Sequence, residues 1–247
     1  MSPVSPSGPA QVAGVSPLAA VDAALAAVFL ALAAGALRSR DRPGATAAGA
    51  LFSVLAAATG GIALARGGVV AAETAVFGLF GGWLLAVPLW AAFVFAYTAR
   101  GPVVTRARAA AGAAYVTAVG VATAGAALVG GTLAPLVQVA VAVSQLSVLG
   151  LGLVGGFLPV HAALAYDDLP LGQAALLSVG GVAASLVLAS LVGAAPETGA
   201  VPATATGVLA LAGGAFATAS VLYRPFETVP GTGYLGREAV LAETSEA

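Results

Sequence analysis

Residues 73–98 read ETAVFGLFGGWLLAVPLWAAFVFAYT, opening on Glu73 and closed by Arg100-Gly101-Pro102. After Glu73 no Asp, Glu, Lys or Arg interrupts the run. A helix rises 1.5 Å per residue, so about 20 such residues cross a hydrocarbon core roughly 30 Å thick. The stretch is therefore read as a membrane span. The whole chain supports this: of 247 residues 60% are hydrophobic and 8% charged, and mean hydropathy is +1.03. A soluble domain carries about 25% charge and avoids large exposed apolar patches.

Six further stretches meet the length requirement. They run from about Leu18 to Leu37, Thr46 to Ala65, Arg108 to Val129, Leu133 to Ala163, Leu171 to Val192 and Val201 to Tyr223. The expected fold is an all-α bundle of seven transmembrane helices over residues 18–223. An extracellular tail (1–17) precedes it and a cytoplasmic exit segment (224–247) follows.

Orientation follows from the arginines, since cytoplasmic loops collect Arg and Lys. With the N-terminus outside, Arg38, Arg40, Arg42, Arg100, Arg106, Arg108, Arg224 and Arg237 all lie inside, and only Arg66 is left outside. The first 17 residues contain no Lys or Arg, hence no positive n-region of a cleavable signal peptide, and the first span is expected to be retained.

Composition excludes several function classes. There is no cysteine for disulfides, thiolate catalysis or cysteine-ligated zinc. A net charge of -1 offers no electrostatic basis for nucleic-acid binding. A microbial rhodopsin holds retinal on a lysine of its last helix; this chain has no lysine, and the seventh span reads Gly213-Gly214-Ala215-Phe216-Ala217-Thr218. His161 has no partner histidine, and Asp167-Asp168 falls in a loop as a solvated pair, so intramembrane proteolysis lacks its residues. Asp22 and Glu73 are read as interfacial carboxylates near helix N-termini, where the helix dipole favours them. No catalytic residue, metal or cofactor is expected.

Two spans carry patterned polar or aromatic residues. In the third, Trp83, Trp90 and Tyr97 recur every seven residues and share one face, with Phe80 close by and Pro88 between the tryptophans. This face reads either as an aromatic cleft for an apolar ligand or as packing and interfacial anchoring. In the fifth, Gln138 and Gln145 are again seven apart, with Ser144 and Ser147 nearby. Amides in hydrocarbon need partners, so this face is expected to point inward, toward a ligand or a neighbouring helix. Small-residue pairs such as Gly78-x-x-x-Gly82 support close packing but are common in a chain so rich in Gly and Ala.

After Tyr223 the chain changes character. Arg224 to Gly233 is turn-rich, and Tyr234 to Ala247 regains amphipathic helical potential. Here the sequence resembles a family. The run Pro88-Leu-Trp90-Ala-Ala-Phe93-Val-Phe-Ala-Tyr97-Thr98-Ala-Arg100-Gly101 looks like the end of the third helix in the N-terminal seven-helix region of membrane histidine kinases, particularly haloarchaeal ones. Phe226 to Val240, with Pro230, Gly236, Arg237 and Glu238, is similar to the junction leading into their cytoplasmic modules. Those kinases also contain a phospho-acceptor helix and an ATP-binding domain. This sequence has neither a Gly-rich nucleotide site nor a cytoplasmic helical histidine.

The resemblance thus implies a non-enzymatic sensory input module in the cell membrane, of archaeal type, with Arg224, Pro230, Gly236 and Arg237 at its output. Its implied partners are the lipid bilayer, a cytoplasmic kinase or response regulator of a two-component system, and a second copy of the chain. The competing reading is a small seven-helix transporter or channel, against which stand the absence of a convincing internal repeat and the unmatched positions of Pro88 and Pro159.

Overall fold

The computed structural model describes residues 16–98, 112, 114–115, 118–119, 134–165, 169–192 and 201–226. All regular structure among them is α-helical. Six long helices are α1 (Pro17–Arg38), α2 (Ala45–Arg66), α3 (Ala72–Tyr97), α4 (Ala134–Ala165), α5 (Leu171–Val192) and α6 (Ala203–Tyr223). Their limits fall within two residues of six of the seven expected spans. The fourth expected span lies outside the described residues except at 112, 114–115 and 118–119, which are helical. Five helices are long and apolar enough to cross a membrane, and α5 adds a shorter apolar stretch, Leu171–Val187. These apolar helices support a helical membrane protein.

Local chemistry sets the helix ends. Ser16 caps α1, its Oγ accepting from the Ala19 N–H at 3.1 Å, and Pro17 takes the first helical position. Gly44 opens α2 at φ +79°, and a Cβ there would stand 3.0 Å from the Phe93 ring and 3.1 Å from the Phe93 carbonyl oxygen. Left-handed backbone and a tight approach to α3 both require glycine at this corner.

Cross-helix contacts give the directions. Asp22 meets Arg66, and Leu37 meets Gly49, so α1 and α2 are antiparallel. Asp22 also meets Thr206, and Phe29 lies against Gly213, so α6 runs parallel to α1. Val87 is level with Gly152 and Trp90 with Gly155, making α3 and α4 parallel. Trp83–Ser185 and Tyr97–Gln173 set α5 antiparallel to α3. The helices form a ring in chain order that closes α6 on α1, and α3 also touches α5. The start of α1 and the end of α6 consequently lie at opposite ends of the bundle.

Phe29, Leu51, Phe52, Ile62, Trp90, Phe93, Leu209 and Phe216 form the buried core with many alanines. Val139, Leu146, Phe157, Leu164 and Val221 are more than half exposed. Large apolar side chains on the perimeter suit a lipid solvent.

Candidate functional site

Helix α3 directs its seven-residue aromatic stripe into the bundle. Trp83, Trp90 and Tyr97 are all buried. Each meets α5 differently. The Trp83 indole N–H donates to the Ser185 carbonyl at 2.6 Å, while the Ser185 hydroxyl donates to the Gly181 carbonyl at 2.8 Å. The Tyr97 hydroxyl accepts from the Gln173 amide at 2.5 Å. Between them Trp90 fills a notch: a Cβ on Gly181 would overlap its ring, and one on Gly155 would stand 2.6 Å from its Nε1. That indole nitrogen is buried with no hydrogen-bond partner.

From Trp90 the rings continue toward the end of the bundle where α6 finishes. Trp90 lies 5.8 Å from Phe216 of α6 and 5.7 Å from Phe93, and Phe93 stacks on Tyr97 at 5.3 Å. Phe93 also meets Phe226 edge-on at 6.2 Å. Phe226 follows the turn at Arg224, whose φ is +46°. An aromatic spine therefore runs from the middle of the bundle to the segment leaving α6. Phe80 stacks on Trp83 at the other end of the stripe, 6.2 Å away.

Of the two glutamines of the fifth expected span, Gln145 does not join this spine. Gln145 is half-buried on α4, between exposed neighbours Val143 and Leu146, and no hydrogen bond links it to Trp83, Trp90 or Tyr97. Gln138 lies in α4, but its side chain, like that of Ser144, is outside the described residues. Ser147 is exposed and donates to the Val143 carbonyl in its own helix. Of the output residues, Arg224 is exposed, whereas Pro230, Gly236 and Arg237 lie outside the described residues. His161 is exposed beside Phe157, ring centroids 5.5 Å apart. Gly78 and Gly82 line an open apolar groove of about 350 Å³ between α2 and α3, on a different face of α3 from the tryptophans.

A second constellation lies at the opposite end of the bundle. Asp22, near the start of α1, is 0% exposed, its carboxylate enclosed by neighbouring helices. Arg66 Nη1 donates to Asp22 Oδ2 at 2.5 Å and to Thr206 Oγ1 at 2.5 Å. The Thr206 hydroxyl donates to Asp22 Oδ1 at 2.8 Å. Arg66 Nη2 reaches the Val201 and Pro202 carbonyls at 3.2 and 3.0 Å. One guanidinium thus binds α1, α2 and the start of α6. Removing one partner of a buried pair costs about 3–5 kcal/mol, because the other charge is stranded.

Sequence reasoning missed Asp22–Arg66, Thr206 and Gln173. One signal was present: two lone charges of opposite sign at matching ends of adjacent antiparallel spans, one of them the arginine that broke the orientation rule. Among the described residues no group of three His, Asp or Glu is placed to hold a metal. No known protein family, curated protein or solved structure matches the chain.

Proposed function

We propose that this chain is a non-enzymatic sensory input module, multi-pass in the cell membrane, with seven spans, its N-terminus outside and its C-terminus in the cytoplasm. A stimulus received in the bundle shifts α6, the seventh expected span. The exit segment passes the shift to a cytoplasmic kinase or response regulator. The observation carrying this reading is the ring contact between Phe93 and Phe226. It ties the spine begun at Trp90 to the first residues after α6, giving a packing change inside the bundle a direct mechanical path to the exit. The resemblance of Trp90–Arg100 and Phe226–Val240 to the input region of membrane histidine kinases points the same way. A stimulus acts in this way only if its affinity differs between two bundle states.

The test fuses residues 1–247 to a histidine-kinase output domain and compares it with the same fusion carrying Phe226→Ala and with one joined at Pro230. Basal autophosphorylation that changes several-fold in both altered fusions supports the reading. Equal phosphorylation by all three, each folded and membrane-inserted, overturns it. Solute flux through liposomes carrying the unfused chain would favour a transporter instead.

A further inference from the structure

The Arg66 cluster is asymmetric. Of the four hydrogen bonds from its guanidinium, three go to α6 and its lead-in (Thr206, Val201, Pro202) and one goes to Asp22. A helix N-terminus carries partial positive charge, so a cation there is disfavoured and an anion favoured. Arg66 is tenable beside the start of α6 because Asp22 is there with it. The carboxylate neutralises the guanidinium, accepts from Thr206 and suits the helix end. Farther along, α6 is held by close ring contacts: Phe29 against Gly213, and Phe216 against Gly180 and Trp90. Beyond these lies Phe226 on Phe93. Helix α6 is thus fixed at one end by charge, packed at its middle, and joined to the exit at the other end.

We propose that Asp22, Arg66 and Thr206 form a charge-dependent latch on α6. Closed, it holds the start of α6 against α1 and α2. Open, it frees α6 to tilt about the Phe216–Gly180 contact and moves Phe226 relative to Phe93. Its role as the regulated element rests on the sensory reading above, whereas the mechanical coupling does not.

The chain has no cysteine, so spin-label pairs can be placed on exposed positions of the full chain in nanodiscs. One pair at Val139 and Ala203 reports the latched end, and one at Leu164 and Val221 reports the exit end; all four are exposed. In Asp22→Asn the guanidinium stays beside the helix N-terminus without its counter-charge. Both distance distributions should shift, the exit-end one on the order of 2–5 Å, between a small helix displacement and a one-turn step. Asp22→Asn with Arg66→Gln removes both charges and should shift it less than Asp22→Asn alone. Thr206→Val, which keeps the ion pair, should shift it least. If Asp22→Asn is not recovered folded, Arg66→Gln and Thr206→Val decide by the same ordering. An exit-end distribution unchanged in every folded variant overturns the latch. So does an equal shift in the single and double charge variants, because packing alone would then explain it. Distances that shift while a fused kinase keeps its basal activity would leave the latch standing and overturn the sensory reading.

Discussion

Gly181 of α5 lacks a side chain where the Trp90 indole of α3 lies: a Cβ built on that glycine would overlap the ring. Helices α3 and α5 approach closely because one contributes its largest side chain where the other contributes none. Small residues serve membrane helices in this way, since close packing must do what the hydrophobic effect does in water.

Gly181→Ala should therefore destabilise the bundle by about 1–3 kcal/mol, the usual cost of overpacking. Trp90→Phe in the same chain should recover part of the loss, because it shrinks the ring and removes an indole N–H that has no partner. Gly214→Ala serves as the control, since nothing lies within 4 Å of a Cβ there. Chemical unfolding in detergent measures all three. Equal stability of the Gly181 and Gly214 variants would contradict the notch.

The Gln173–Tyr97 hydrogen bond should show as a coupling energy of about 0.6–1.7 kcal/mol in a double-mutant cycle with Gln173→Leu and Tyr97→Phe. Each single change leaves the other polar group buried without this partner. The double variant leaves neither, so the losses should be less than additive. Strict additivity would show that the contact contributes nothing to stability.

The sequence displayed the helices and the inward aromatic face because both follow from local rules. An uncharged run of about 20 residues has one stable form in lipid, and a seven-residue repeat keeps one side of a helix. Partners were not legible. Trp90 needed Gly181, Tyr97 needed Gln173, and Asp22 needed both Arg66 and Thr206, and each partner lies on another helix far along the chain. Gln145 illustrates the converse. An amide in an apolar run suggests burial, yet the rotation of α4 leaves it half-buried with no hydrogen bond to the stripe.

Gln145→Leu should consequently change stability by no more than about 0.5 kcal/mol, the range of substitutions away from packed or bonded features. Gln173→Leu should cost clearly more. Parallel unfolding curves check the ordering, and a larger loss at Gln145 would show that it bonds a group outside the described residues.

Orientation supplies the last prediction. Arg66 is the one arginine that the proposed orientation leaves outside, and it pairs with Asp22. Its side chain is 11% exposed and its charge is matched within the bundle. Arg38, Arg40 and Arg42 at the other end of α1 and α2 are exposed and retain their weight in the positive-inside rule. A single cysteine replacing Leu18 should react with an impermeant maleimide in intact cells, and one replacing Asp41 should react only after permeabilisation. Asp22→Asn with Arg66→Gln should leave both patterns unchanged, because it removes a matched pair. Changing Arg38, Arg40 and Arg42 together to Gln should place a measurable fraction of chains in the reverse orientation. Labelling at residue 41 but not at residue 18 in intact cells would invert the topology and put the Arg66 cluster on the cytoplasmic side.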